Sequence, residues 1–217
     1  MSRRLPEERP TEPPTGYKIA HPVLSRDGTR VGFVGVSLGA ALPYGVLDEA
    51  ACVYGRRHRA PHRRCDCGFH CVHARQDAEA LLSTADHRRA ALLEVSVLGY
   101  YIRFERGFRY ARQRVRTMTS GPCACGAAGV VLADAGWGRP GWCALESACA
   151  RCAGARRALA PAAFERLAGE GLKVRNLPVA MTPAYDVPEL VAEAALLQAR
   201  LDWFQTQLAR IRRGPGG

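Results

Sequence analysis

Four cysteines, written Cys123-Ala-Cys125-Gly126 and Cys149-Ala-Arg-Cys152, form two close pairs with 23 residues between them. Structural zinc takes four soft donors at tetrahedral corners, with sulfur about 2.3 Å from the metal. Two close pairs suit this, because each pair sits on one tight turn and the chain between them closes a single loop. Gly126 supplies the backbone freedom that such a turn needs next to Cys125. Cys123, Cys125, Cys149 and Cys152 are therefore expected to hold one zinc ion, in a zinc-ribbon-like module over residues 121–180. Cys143 is left over and reads as a free core thiol.

A second concentration lies earlier, between Cys52 and His73. It offers Cys52, His58, His62, Cys65, Cys67, His70, Cys71 and His73, more donors than one tetrahedral ion uses. Cys65-Asp66-Cys67-Gly68 repeats the Cys-x-Cys-Gly form, so Cys65 and Cys67 are the leading ligands. Cys52 and His58 would complete one set, and Cys71 with His73 would complete another. The flanks of the two Cys-x-Cys-Gly segments do not match, so no duplication is read from them.

Ala51-Cys52, His58-x-Ala60-Pro61 and Cys65-x-Cys67-Gly68 are followed by Glu94-Val95-x-Val97-x-Gly99 and Glu105-x-Gly107-Phe108-Arg109. Together these resemble a pattern in a family of actinobacterial proteins, in which a C…H-x-A-P…C-x-C-G segment precedes a strand pair with G…E-x-G-[YF]-R. The resemblance spans roughly residues 17–120 and implies that Cys52, His58, Cys65 and Cys67 act together. It brings no activity with it. Cys71 and His73, placed after the Cys-x-Cys-Gly turn, depart from the pattern.

Catalytic zinc has less support in the letters. His-Glu-x-x-His and the deaminase His-x-Glu are absent, as is the phosphate-binding Gly-x-x-x-x-Gly-Lys-Ser. Gly35-Val-Ser37-Leu-Gly39 fits the hydrolase elbow by spelling alone, because too little chain precedes it to build the parallel sheet such an elbow tops. A redox sensor is a competing reading, since Arg63 and Arg64 beside Cys65-Asp66-Cys67 favour thiolates.

Charge adds a second theme. The chain carries a net charge of +11, and of its 31 basic residues only Lys18 and Lys173 are lysine. Such an excess suits a polyanionic partner, and it also suits the coding bias of a GC-rich genome. Arg56, Arg57, Arg59, Arg63 and Arg64 surround the first cluster. Arg109, Arg112, Arg114 and Arg116 lie in a strand with Phe108 and Tyr110, where aromatics would stack on bases and guanidinium groups hold phosphates. An extended strand puts Arg112, Arg114 and Arg116 on one face, with Phe108 and Tyr110 continuing it. In the opposing reading the aromatics are core and the arginines are solvated or paired.

The elements that must position these residues follow from pattern. Residues 1–15, rich in charge and proline, read as a disordered tail without the apolar core of a secretory signal. With no apolar run of membrane-spanning length, a cytoplasmic chain is expected, where nine cysteines favour metal over disulfides. Tyr17–Val36 reads as a hairpin around Asp27-Gly28, and Leu92–Met118 as a strand pair around Glu105-Arg106-Gly107. These two would form a β-rich domain over residues 16–120 with the Cys/His cluster inside it. Short helices are expected at Asp77–Leu82 and Ala158–Ala168.

Over residues 181–217, Val187, Leu190, Ala194, Leu197, Leu201, Phe204, Leu208 and Ile211 recur at spacings of three and four. That is a long amphipathic helix, which docks on the core or pairs through Leu190, Leu197, Leu201, Phe204 and Leu208 with a partner or a second copy. The sequence thus predicts an α+β fold of small antiparallel sheets stapled by one or two structural zinc ions, with that helix at its end. It predicts a non-enzymatic recognition or adaptor protein with an arginine-rich surface.

Overall fold

The Asp27-Gly28 turn forms as its letters require. Gly28 takes φ 78°, and Asp27 Oδ1 accepts from Ser25 Oγ, Thr29 N and Thr29 Oγ1. Those bonds hold the Asp27 carboxyl down at about 2. The turn joins β1 (Thr15–Ser25) to β2 (Val31–Gly35) in antiparallel register, with His21 opposite Val34 and Leu24 opposite Val31.

This computed structural model describes residues 12–36, 42–84 and 86–177, together with Gln198, Leu201, Phe204 and Gln205. After the first hairpin come β3 (Leu47–Glu49), β4 (Phe69–Val72), α1 (Arg75–Leu82), β5 (Ala91–Arg103) and β6 (Gly107–Ser120). Then follow β7 (Val131–Arg139), β8 (Trp142–Ala148), α2 (Ala150–Ala153), β9 (Ala158–Leu159), α3 (Pro161–Ala168) and β10 (Lys173–Asn176).

All ten strands among the described residues belong to one sheet. The expected α+β arrangement of separate small sheets is therefore corrected to a mostly antiparallel β fold with three short helices in residues 12–177. Sequence pattern missed this because the joining strand, β1, has partners far away in the chain. Its first half pairs with β5, Tyr17 opposite Glu94, and its second half pairs with β8, Leu24 opposite Cys143. Along its other edge it meets β2 and, through Tyr17 and Val72, β4. Strand β6 pairs with β5 along one edge and with β4, β3 and β10 along the other. The path β1–β5–β6–β4 returns to β1, so this part of the sheet closes on itself and leaves those four strands no free edge there.

The interior is aromatic. Phe33, Tyr44, Phe69, Tyr110 and Phe164 form a run of ring contacts with centroids 5.2–5.9 Å apart. Phe164 comes from α3, whose Pro161 sits in its first turn where no amide is needed, and it is wholly buried. Lys18 threads into this interior: its Nζ lies 4.7 Å from the Tyr44 ring centroid and 5.0 Å from that of Phe69. Burial lowers the Lys18 amine to about 8, while aromatic faces and Gln113 Oε1 at 3.5 Å receive the ammonium.

The chain divides into two compact units, Met1–Val179 and Ala180–Gly217. The long helix expected over 181–217 is not among the described elements, and most of its residues lie outside those described. Gln198, Leu201, Phe204 and Gln205 are helical, and the Leu201 and Phe204 side chains are about half exposed within the described structure. Leu190, Leu197 and Leu208 lie outside the described residues, as do the expected tail up to residue 11 and Ser37 to Gly39. Among the described residues no helix is long and apolar enough to cross a membrane.

Candidate metal centres

The chain between β3 and β4 folds around its cysteines: Cys65 and Cys67 are buried with Ala60, and Ala50 and Cys52 pack against them. Its turns are short: Cys52 O accepts from Gly55 N and His62 O from Cys65 N. The result gathers Cys52, His58, Cys65 and Cys67, whose ligand atoms all lie within 4.8 Å of one another. Cys52 Sγ and Cys65 Sγ are 3.9 Å apart, and His58 Nε2 is 3.2 Å from Cys67 Sγ. Two sulfurs on one tetrahedral zinc would sit about 3.8 Å apart, given bonds of about 2.3 Å. The arrangement therefore fits a zinc site of three cysteines and one histidine, and no disulfide competes for the thiols.

Of the two ligand sets left open by the sequence, the structure assembles the one with Cys52 and His58. Cys71 points into the sheet interior, where burial pushes its thiol up to about 11. His73 turns to the β5–β6 turn, its Nε2 2.9 Å from Phe104 O and its ring edge-on to Phe108. His62 stacks on His58 with ring centroids 4.5 Å apart, beside the site rather than in it. His70, on β4, is exposed.

Gly68 closes the Cys-x-Cys turn with φ 123°, a region that L side chains rarely enter. A Cβ there would stand 3.0 Å from Arg109 Cγ and from Pro61 Cβ. We expect Gly68→Ala to lower unfolding free energy by about 1–3 kcal/mol through backbone strain and crowding. Urea unfolding of wild type and variant, both metal-loaded, measures this.

The second group is built on the β7–β8 hairpin. Cys123 and Cys125 lie on a turn closed by Gly126 N to Cys123 O at 2.8 Å, with Gly126 at φ 84°. Cys149 caps α2, its Sγ accepting from Cys152 N at 3.4 Å. Cys125 and Cys149 sulfurs are 3.7 Å apart, again a tetrahedral edge, and all four sulfurs lie within 4.8 Å. The Cys125 and Cys149 amides point at Cys123 Sγ and hold its thiol down at about 6. Cys152, bonded to the sulfurs of Cys125, Cys123 and Cys149, is pushed up to about 12. Four thiolates this close need a cation between them, which is the chemistry of a four-cysteine zinc site. Cys143 lies on β8 away from this group, half-buried.

The arginines separate into two kinds. Arg109 is 6% exposed and packs under the first cluster. Its guanidinium donates to Cys65 O at 2.6 Å, His62 O at 3.3 Å and Asp66 Oδ1 at 3.3 Å, and stacks near Phe104. Sequence reasoning placed it on a nucleic-acid surface; the structure makes it a support for the Cys-x-Cys turn. The signal that could have shown this is its position in β6, which pairs with β4 immediately after that turn. Arg112 and Arg116 are exposed and Arg114 is half-buried, whereas Gln113 and Val115 between them are buried. Phe108 and Tyr110 do not continue this face, since both are in the core. The reason is a bulge: β5 sets Gly99 and Tyr100 opposite Ala111 alone, and the inward parity of β6 changes there. Arg112 Nε reaches Glu49 at 3.9 Å and Arg116 Nε donates to Ser96 Oγ at 2.9 Å.

Compared with protein-family models, curated proteins and solved structures, the chain matches none.

Proposed function

We propose that this is a non-enzymatic recognition protein, stapled by two structural zinc ions, that presents arginines to a nucleic acid. The carrying observation is the orientation of the first cluster. Its loop turns Cys65 and Cys67 inward and leaves Arg56, Arg57, Arg59, Arg63 and Arg64 exposed around them. Zinc would fix the backbone of that loop and, through it, the spacing of five guanidinium groups. Arg56 lies over the exposed Tyr54 ring at 5.9 Å, an arrangement suited to holding a base beside a phosphate. Arg112, Arg114 and Arg116 add an outward row on β6. A structural role for zinc is supported by ligand count: each group supplies four protein donors, which fills a tetrahedral shell and leaves no position for substrate.

Affinity for a fluorescent single-stranded oligonucleotide across a salt series tests the reading. We expect log K to fall with log salt at about −0.7 per phosphate contacted, and the triple variant Arg112→Glu, Arg114→Glu, Arg116→Glu to weaken binding at least tenfold. Binding that ignores salt, or none at all, overturns the proposal. Unchanged affinity in the triple variant confines recognition to the cluster loop.

A further inference from the structure

Between the β1–β2 turn and the β7–β8 hairpin runs an open groove of about 500 Å³, lined by Arg26, Asp134, Trp137, Arg139, Trp142 and Cys143 among others. Glycines shape it: Gly136 and Gly141 take φ near 79°, and a Cβ on Gly138 would run into the Trp142 carbonyl. Trp137 is 42% exposed and braced edge-on by His21 at 4.8 Å. Arg30 lies over the Trp142 ring at 5.3 Å.

The groove also has unused positive charge. Arg139 Nε is buried with no hydrogen-bond partner among the described residues. No ion pair or hydrogen bond engages the exposed Arg26 guanidinium among them either. Asp134 contributes one negative charge, its Oδ1 accepting from Gly136 N at 2.8 Å. A buried guanidinium nitrogen without a protein partner is costly, and an acceptor of water or of a ligand beside Arg139 would remove the cost. An exposed indole beside it takes a flat ring. Neighbouring arginines do not compete for the site: Arg156 is bound to Glu146 Oε1 and Arg157 to Arg26 O.

We infer that this groove binds a nucleoside phosphate, its base stacked on Trp137 and its phosphate held between Arg26 and Arg139. The same unit is present as a free nucleotide and at the phosphorylated end of a single strand. The inference rests on the nucleic-acid reading for the second of these sources alone.

Calorimetric titration of the metal-loaded full chain with adenosine 5′-monophosphate tests it. Saturable binding is expected, at least tenfold weaker for adenosine and for inorganic phosphate, each of which offers half of the recognised unit. Trp137→Ala and Arg139→Gln should each weaken it at least fivefold, with zinc content and melting temperature kept as controls of folding. Tighter binding of a 5′-phosphorylated oligonucleotide than of its 5′-hydroxyl form would assign the strand end, and equal binding would assign the free nucleotide. If the monophosphate does not bind, or binds both variants as well as wild type, the inference falls. Salt-dependent oligonucleotide binding that survives in those variants would then leave the arginine surface standing. Loss of all oligonucleotide binding, with the monophosphate still bound, would sink the surface and keep the groove.

Discussion

Untagged protein should carry two zinc ions per chain by elemental analysis, and Cys65→Ser and Cys123→Ser should each remove one. The expectation follows from two independent tetrads whose sulfur spacings, 3.9 and 3.7 Å, match the edge of a zinc tetrahedron. Folding free energy and metal binding are one quantity in such loops, and structural zinc contributes about 10–16 kcal/mol to small zinc-dependent folds. The effect here should be unequal. In the first group Cys65 and Cys67 are buried, whereas Cys125 and Cys152 of the second are exposed. A chelator should therefore strip the ion of the four-cysteine group first, and the ion of the histidine-containing group only as the β4–β6 region opens. Mild peroxide should show the same order, reversed by thiol reductant if a redox role exists. A single ion lost only with Cys123→Ser would make the first group ordinary thiols. No metal at all would remove the stapled reading altogether.

Arg109→Ala should destabilise the protein by about 2–4 kcal/mol, because hydrogen bonds from a charged group to two carbonyls are lost and a buried space is left. The acceptors, Cys65 O and His62 O, belong to the turn that carries two of the four ligands. Zinc affinity at the first site should fall about 10–100-fold while the four-cysteine site keeps its ion. Competition with a chromophoric chelator, read separately for each site in the Cys123→Ser and Cys65→Ser backgrounds, measures both. Arg109→Lys should rescue little, since an ammonium cannot reach two divergent carbonyls as a planar fork does. Equal zinc affinity in wild type and Arg109→Ala would show that the turn needs no such support.

The sites were more legible than the fold. Close pairs such as Cys123/Cys125 announce themselves because ligand spacing is a local property, and Asp27-Gly28 fixed its hairpin for the same reason. The first ligand set stayed ambiguous because Cys71 sits only four residues from Cys67, and what removes it is its place in the main sheet core, apart from the cluster that holds Cys52, Cys65 and Cys67. Strands β7 and β8 went unread between the cysteine pairs, since glycines and tryptophans resemble loop composition there. The single sheet was invisible for a further reason. Pairings such as Leu24 with Cys143 and Val174 with Met118 join residues that no local window holds together. Alternation matches the exposure of Arg112 and Arg116, but neither the half-burial of Arg114 nor the bulge at Gly99–Tyr100 that detaches Phe108 and Tyr110 from that face was readable.

Because β1 precedes its partners β5 and β8 by so much chain, a ribosome releases it long before anything exists for it to pair with along that edge. The apolar residues of β1 must wait in a nascent chain, Ile19 until β5 has emerged, and Val23 and Leu24 until β8 has. Only the β2 hairpin and the cysteine loop after it are complete early, and metal captured there would hold the waiting segment compact. Such distant pairings fold in about milliseconds to seconds once the chain is free, so the time of greatest aggregation risk for this protein falls during its own synthesis.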